Sequence, residues 1–200
     1  ENGEMFGEEY TLVAVADYVL KHTPGNTVSN LSSSRALKDV TEAYGQQYHA
    51  AAVGEVNVVA EMKRTHSVIG GEGNGGVIYP ESHYGRDALV GVGLFLSHYV
   101  AQSKKMTELK STYPPYFISK NKMTLSPDMD VDKILEGLKE RYATEKVTDI
   151  DGVKIDFAQG WVHLRKSNTE PIIRIYSEAK DEAAANQLAE EVIAAAKSTF

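Results

Sequence analysis

A short run near the carboxyl terminus constrains the fold of this chain more than any other segment. Residues 160–165 and residues 172–176 each alternate between two faces, as the side chains of a β-strand do. Between them lies a polar loop that Pro171 closes, because proline lacks a backbone donor and cannot extend a strand ladder. This pattern predicts two strands joined by a short loop at this end of the chain.

The residues of this loop have the chemistry of an anion site. Arg165 and Arg174 carry guanidinium groups whose paired donors match the oxygens of a phosphate. Three polar residues between them can add side-chain and backbone donors: Ser167, Asn168 and Thr169. The alternative is a plain hairpin in which Arg165 pairs with Glu170, and composition alone does not separate the two.

The whole run, Arg-Lys-Ser-Asn-Thr-Glu-Pro-x-x-Arg from residue 165 to 174, resembles a known motif. It is similar to the phosphate-binding loop of the α-D-phosphohexomutase superfamily of phosphoglucomutases, phosphomannomutases and phosphoglucosamine mutases. In that family the loop belongs to the fourth, C-terminal domain and holds the substrate phosphate that is not being transferred. The resemblance implies five phosphate-binding residues: Arg165, Ser167, Asn168, Thr169 and Arg174.

A glycine-rich run forms a second constellation. The apolar pair Val68-Ile69 predicts a short strand, and residues 70–76 then contain five glycines around Glu72 and Asn74, which predicts a loop. Loops at the carboxyl ends of strands hold the ligands of α/β sheets, although a flexible surface turn is the alternative. The run resembles the sugar-specificity loop of the family's third domain. That resemblance implies that Glu72 and Asn74 bind sugar hydroxyls.

Helical and strand patterns alternate through the first half of the chain. Helices are predicted in four stretches: 8–22, 33–44, 54–64 and 87–105. Strands or extended segments are predicted between them: 27–32, 47–53 and 68–69. Ser33 or Ser34 is expected to cap the second helix, and Val56, Val59 and Met62 are expected to face inward from the third.

Two consecutive prolines, Pro114 and Pro115, predict a domain boundary because a helix cannot continue through them. Residues 1–113 are then expected to form a three-layer α/β domain with a mainly parallel sheet. Residues 114–200 are expected to form a smaller α+β domain, an antiparallel sheet backed by helices. Its predicted strands are 116–125, 146–150, 153–157, 160–165 and 172–177, and its predicted helices are 131–142 and 181–198.

Composition excludes several other functions. With 200 residues, 42% of them hydrophobic, and a net charge of −7, the chain is expected to be a cytoplasmic protein without general affinity for nucleic acid. No apolar run approaches the length of a membrane span. The chain has no cysteine, and its six histidines are scattered without ligand spacing, so no metal site is expected.

The resemblance covers essentially the whole chain as the family's third and fourth domains. It implies a phosphohexomutase, an intramolecular phosphotransferase that interconverts hexose 1-phosphate and hexose 6-phosphate. A phosphoserine and a bisphosphorylated sugar intermediate carry the phosphate in that family, with Mg²⁺ as cofactor. Glucose, mannose and glucosamine phosphates all stay open as the substrate. The alternative, from a different class, is a non-catalytic module that binds sugar phosphates.

The catalytic serine and the metal loop of the family belong to its first two domains, and neither motif occurs in this sequence. We therefore expect this chain to be the carboxyl-terminal part of a longer protein, cut after the second domain, with no catalytic residue of its own and no turnover alone. Its expected partners are a hexose phosphate and its own N-terminal domains. His49–Ala52 departs from the Arg-Thr pair that relatives often carry at this place.

Overall fold

The computed structural model describes residues 1–126, 129–167 and 169–198. The strands among these residues form two separate sheets, one with four strands and one with five. Each sheet lies in its own unit of the chain, and the division between the units falls between Pro115 and Tyr116. The first unit is called the N-unit and the second the C-unit below.

The N-unit alternates helices and short strands. Its helices are α1 (Glu8–His22), α2 (Ala36–Ala43), α3 (Glu55–Thr65), α4 (Ala88–Gln102) and α5 (Met106–Lys110). Its strands are β1 (Thr27–Asn30), β2 (Tyr48–Ala51), β3 (Ile69–Glu72) and β4 (Gly76–Ile78). The short helix α5 follows Ser103, a residue with φ of 51°, and the sequence pattern does not predict it.

The sheet of the N-unit has the order β2-β1-β3-β4. Strand β1 pairs in parallel with both β2 and β3, and only β4 runs antiparallel, so the prediction of a mainly parallel sheet is confirmed. The three parallel strands end at Asn30, Ala51 and Glu72, and their carboxyl ends meet at one edge. Such an edge is where α/β sheets hold their ligands.

Helix α1 shows why the helical predictions succeeded in the N-unit. Its apolar residues recur at helical spacing, and Leu12, Val15, Val19 and Leu20 are all buried. The helix ends at His22, just before the Thr-Pro-Gly sequence that cannot continue it. Burying a side chain such as leucine contributes roughly 1.5–3 kcal/mol, so these buried residues stabilise the unit substantially.

Three local predictions in the N-unit are wrong. The N-cap residue of α2 is Arg35, without a side-chain cap bond, and not Ser33 or Ser34. The glycine-rich run is a β-hairpin and not a loop, because β3 continues through Gly70, Gly71 and Glu72 and pairs with β4. Glycine in this run permits close strand approach: a Cβ on Gly71 would lie 2.0 Å from the Gly76 carbonyl oxygen. Val56 is predicted to face inward but is 80% exposed, since α3 buries Val58 and Met62 instead.

The C-unit contains an antiparallel sheet with the order β5-β9-β8-β7-β6, as predicted. Its strands are β5 (Phe117–Thr124), β6 (Lys146–Thr148), β7 (Val153–Asp156), β8 (Gly160–Lys166) and β9 (Ile172–Ala179). Its helices are α6 (Val131–Arg141) and α7 (Glu182–Lys197). Asp130 caps α6 by accepting hydrogen bonds from the backbone N–H groups of Asp132 and Lys133.

The two faces of this sheet differ in chemistry. One face, with Val162, Leu164, Ile173 and Ile175, forms a hydrophobic core with apolar residues of α6 and α7. The strand register places the opposite set of side chains on the other face, called the polar face below. Its cationic members are Lys120, Lys122, Lys146, Lys154, Arg165 and Arg174. Both predicted phosphate-binding arginines therefore share one face.

The described helices do not include a membrane-spanning segment. None of them combines the length and the apolar character that crossing a bilayer requires.

Candidate functional sites

The first candidate site lies at the carboxyl edge of the N-unit sheet and centres on Glu72. This side chain is 6% exposed, at the end of β3. Its Oε1 accepts hydrogen bonds from Asn30 Nδ2 at 3.0 Å and from the Gly54 backbone N–H at 3.3 Å. Its Oε2 lies 3.1 Å from Arg86 Nη1. Three donors from three separate segments thus hold one carboxylate in a fixed orientation.

Arg86 connects two carboxylates of this site. Its Nε donates to Glu55 Oε2 at 2.7 Å, in addition to the contact of its Nη1 with Glu72. Hydrogen bonds from Arg86 lower the pKa of Glu55, and the same bonds raise the pKa of Arg86. The pair ties the first turn of α3 to the end of β3, and therefore stiffens the edge of the sheet.

Gly76 makes the position of Arg86 possible. A Cβ on this residue would lie 2.6 Å from Arg86 Cδ and 3.0 Å from Asn74 Oδ1. The absence of a side chain lets the arginine lie across β4 and reach Glu72. The sequence contains both residues, but only the folded hairpin shows that they are in contact.

Asn74 lies at the tip of the hairpin and is exposed. Its Oδ1 accepts a hydrogen bond from the Gly76 backbone N–H at 3.1 Å. The amide NH₂ group, which has two donors, takes no part in this bond. Asn74 also lines a cleft of about 420 Å³ together with Glu55, Arg86 and Asp87. The structure thus brings Asn74 to a polar cleft, whereas Glu72 is buried behind Arg86 and does not line the cleft.

Asp87 at the rim of this cleft has two structural contacts. Its Oδ1 accepts hydrogen bonds from the backbone N–H groups of Leu89 and Val90 and caps α4, while its Oδ2 lies 3.0 Å from His83 Nε2. These bonds, that from the Val90 backbone first, lower the pKa of Asp87. Both carboxylate oxygens of Asp87 are used in these structural contacts, so we assign this residue no role in binding.

The second candidate site is the loop between β8 and β9 in the C-unit. The loop is closed by hydrogen bonds from the Ser167 N–H to the Ile172 carbonyl at 3.0 Å and from the Ile172 N–H to the Glu170 carbonyl at 2.8 Å. Ser167 is buried, and its hydroxyl accepts a bond from the Thr169 N–H at 3.4 Å. Asn168, which the sequence also assigns to this site, lies outside the described residues.

The two predicted arginines face each other across this loop. Arg165 and Arg174 are direct partners in the register of β8 and β9. Like charges in directly opposite positions destabilise a strand pair, so this placement has an energetic cost. Glu170 compensates Arg174, with 2.8 Å between its Oε2 and Arg174 Nη2. The plain-hairpin alternative predicts that Glu170 pairs with Arg165, and the observed partner is Arg174.

Arg165 carries an unsatisfied donor. Its Nε is buried and has no hydrogen-bond partner among the residues that the structure describes. A buried N–H without a partner costs roughly 1–3 kcal/mol, and a charged group costs more. An anion bound between the two guanidinium groups would relieve the repulsion between them.

His163 lies on the same polar face, two residues before Arg165. Burial lowers its pKa to about 4, although the hydrogen bond between its Nε2 and the Asp151 carbonyl, 2.7 Å long, opposes the shift. The imidazole is therefore neutral near pH 7. It adds no charge to the cations beside it.

Metal binding by the chain itself has no support in these geometries. Within residues 1–126, 129–167 and 169–198, no group of three or more His, Asp or Glu side chains could hold a metal ion.

Comparison with known protein families gives two matches that together span most of the chain. Residues 7–116 match the family model described as phosphoglucomutase/phosphomannomutase, alpha/beta/alpha domain III. Residues 120–195 match the model of the phosphoglucomutase/phosphomannomutase C-terminal domain. The resemblance inferred from the two loops is thereby confirmed.

Curated relatives agree with these models. A phosphoglucomutase/phosphomannomutase of Thermococcus kodakarensis is 36% identical over 193 residues, covering 95% of this chain and 42% of the relative. A phosphoglucosamine/phosphogalactosamine mutase of Sulfurisphaera tokodaii is 36% identical over 167 residues, covering 82% of this chain and 37% of the relative. The chain therefore spans about two fifths of the length of the curated relatives it matches.

Solved structures share the fold. A phosphoglucomutase/phosphomannomutase family protein of Burkholderia thailandensis aligns with a TM-score of 0.81 at 22% identity, over 99% of this chain and 43% of that one. An Aspergillus fumigatus N-acetylphosphoglucosamine mutase, solved with GlcNAc-6P and magnesium, aligns with a TM-score of 0.60 at 14% identity, over 94% of this chain and 46% of that one. Another structure of the Aspergillus enzyme contains glucose 1,6-bisphosphate. With family models matched to both units, this chain belongs to the phosphoglucomutase/phosphomannomutase family within the α-D-phosphohexomutase superfamily.

Proposed function

We propose that this chain is the sugar- and phosphate-binding part of a phosphohexomutase that interconverts hexose 1-phosphate and hexose 6-phosphate. The observation that carries the proposal is the opposed pair of Arg165 and Arg174, in which the buried Nε of Arg165 has no partner within the described part of the chain. A pair of facing guanidinium groups at a Ser-Asn-Thr loop is suited to a phosphate, because each fork matches two oxygens.

The phosphate-binding role falls to the C-unit, which corresponds to the domain predicted from the sequence at residues 114–200. Arg165 and Arg174 supply charge, and Ser167 and Thr169 supply hydroxyl and backbone donors, with Asn168 as the fifth proposed residue. None of these groups transfers a proton. Their contribution to the reaction is to fix the phosphate and to neutralise its charge, so that the reacting end of a sugar phosphate is held in place.

The sugar-binding role falls to the N-unit, which corresponds to the domain predicted from the sequence at residues 1–113. Asn74 has an amide group that both donates and accepts, and it lines the polar cleft. An ionised carboxylate has about four acceptor positions, and three protein donors contact Glu72. One position remains for a sugar hydroxyl, which would approach past Arg86.

The phosphoryl transfer itself is assigned to other parts of the enzyme. The proposed phosphoserine and Mg²⁺ sites lie in N-terminal domains that the relatives carry in their additional length, and the bisphosphorylated sugar is the proposed intermediate. The solved Aspergillus enzymes with magnesium and with glucose 1,6-bisphosphate support these ligands for the family. Without a phosphoserine, this 200-residue chain is expected to turn over nothing by itself.

The test titrates the chain with inorganic phosphate and with glucose 6-phosphate, and follows backbone and arginine side-chain NMR signals. We expect weak binding of both ligands, with shifts at Arg165 and Arg174, and additional shifts at Asn74 for the sugar phosphate only. Shifts confined to other surfaces would contradict the proposal. A coupled mutase assay on the same sample should show no activity above background.

The second candidate function, a non-catalytic module that binds sugar phosphates, uses the same two sites. The longer protein separates the two functions, since an enzyme requires a phosphorylated serine and a carboxylate metal loop. Mutase activity of that protein, lost when its serine is replaced, would exclude the module.

A further inference from the structure

The polar face of the C-unit carries three cationic side chains in one row across three neighbouring strands. Lys122 of β5 lies opposite Arg174 of β9, and Arg174 lies opposite Arg165 of β8. Residues directly opposite in antiparallel strands point to the same face. The row therefore extends the pair of arginines by one cation, on a strand that the loop motif does not include.

The charge of this row is only partly compensated. Glu170 contacts Arg174, and no described residue is a partner of the buried Arg165 Nε. Within the part of the chain that the structure describes, the Lys122 side chain makes no hydrogen bond and no ion pair. Like charges in adjacent positions repel, so the row is better suited to a bound anion than to the empty state.

We propose that Lys122 is a third cation of the phosphate site, so that the C-unit binds a dianionic phosphate group across β5, β9 and β8. The inference rests on the proposed function, because it extends the site of Arg165 and Arg174. It names a binding residue that lies outside the loop motif, more than forty positions earlier in the sequence.

The distances within a sheet permit this role. Neighbouring strands lie about 4.8 Å apart, so the Cα atoms of Lys122 and Arg165 are separated by roughly 10 Å, with Arg174 between them. The two guanidinium groups are planar forks, whereas the lysine ammonium is a mobile point charge on a flexible stem. Lys122 can therefore follow a phosphate that the arginines have fixed, and neutralise the charge that they leave exposed.

Lys120 offers a matched comparison on the same strand and the same face. It belongs to the next row, opposite Tyr176, and its ammonium lies 5.7 Å from the centre of that aromatic ring. Two residues along a strand correspond to about 6.6 Å. Lys120 thus has the same charge and is likewise exposed, but it is separated from the arginine pair.

The experiment measures the affinity of the whole chain for inorganic phosphate by calorimetry at pH 8 and low ionic strength. Four proteins are compared: the unaltered chain, Lys122→Gln, Lys120→Gln and Arg165→Gln. An ion pair of this exposure is worth up to about 1 kcal/mol, so Lys122→Gln should weaken binding about two- to fivefold. Lys120→Gln should bind like the unaltered chain, and urea unfolding should be the same for both lysine variants.

Two results would overturn the inference while the proposed function stands. In one, Lys122→Gln binds phosphate as tightly as the unaltered chain while Arg165→Gln does not. In the other, both lysine variants lose affinity equally. That result would mean that the charge of the whole polar face attracts phosphate, without a direct contact from Lys122. If the unaltered chain binds no phosphate, or Arg165→Gln binds normally, the proposed phosphate site itself is wrong and the inference fails with it.

Discussion

At the end of β3 three protein groups contact the Glu72 carboxylate, whereas near the end of β8 the buried Nε of the Arg165 guanidinium has no partner in residues 1–126, 129–167 and 169–198. The first site is compensated from within: Asn30, Gly54 and Arg86 hold the carboxylate whether or not a ligand is bound. The second site retains uncompensated positive charge on one face of a sheet. Both were inferred from loop motifs of similar length, yet their energetics differ.

The difference indicates how each site would recognise a ligand. A carboxylate with three fixed donors is preorganised, so it can select the orientation of a neutral hydroxyl at little additional ordering cost. A row of opposed cations costs stability in the empty state and regains it when an anion binds. Substitutions should therefore affect stability most in the N-unit site and affinity most in the C-unit site.

The largest expected effect is on affinity in the C-unit. Arg165→Gln removes a charged donor, and hydrogen bonds to charged groups contribute about 1.5–3 kcal/mol, so phosphate affinity should fall by roughly one to two orders of magnitude. Calorimetry with inorganic phosphate measures it. Stability should not fall, since the repulsion with Arg174 is relieved. Arg141→Gln on α6 is the control, and a loss of stability without a loss of affinity would contradict the comparison.

The second prediction concerns a further positive charge on the polar face. His163 has its pKa depressed to about 4, so in the folded protein it stays neutral while the unfolded chain, with a pKa near 6.5, binds a proton as the pH falls. Stability is thus complete above pH 6.5 and declines towards pH 4. Between pH 7 and pH 5 the loss from this group should be about 2 kcal/mol.

Urea unfolding of the C-unit at both pH values measures this effect. His163→Gln is the matched variant, because it lacks the titrating ring and keeps a donor for the Asp151 carbonyl. The variant should show a clearly shallower pH dependence than the unaltered chain. Equal slopes for the two proteins would mean that His163 is not the titrating group.

A third prediction tests the internal compensation of the N-unit site. Glu72→Gln keeps the shape of the side chain but replaces an acceptor oxygen by an amide donor beside either Asn30 and Gly54 or Arg86. The mismatch should lower the stability of the N-unit by about 1–2 kcal/mol. This value is below that of a fully buried charged contact, because Arg86 is partly exposed to solvent. Thermal unfolding of the N-unit measures it. Asn74→Asp at the exposed hairpin tip is the comparison and should change stability little.

The smallest expected effect comes from Gly76→Ala. The added methyl group would meet the Arg86 side chain, which is flexible and can move away. We expect a loss of under about 1 kcal/mol in stability, as for an exposed ion pair, because the contact of Arg86 with Glu72 is weakened. A mixture of two arginine environments in the side-chain NMR spectrum would report the displacement. An unchanged Arg86 signal would mean that the strand tolerates the methyl group.

Local patterns predicted much of this fold. The bounds of α1, the antiparallel hairpin of β8 and β9, and the faces that their residues occupy all follow from periodicity and from the punctuation by proline and glycine. These signals work because they depend on neighbours within a few residues along the chain. The glycine-rich run shows where such signals fail, since glycine permits both a loop and a close strand pair, and only β4 decides between them.

The sequence by itself indicated the residues of the two candidate sites, and it predicted the strand pair that carries the Arg165–Arg174 loop. Only the tertiary structure decided that Glu72 is held by Asn30 and Arg86, and that Lys122 extends the arginine pair. Those contacts join segments that are far apart in the chain. Their register is set by the packing of the whole sheet, to which each residue contributes only a small part of the free energy.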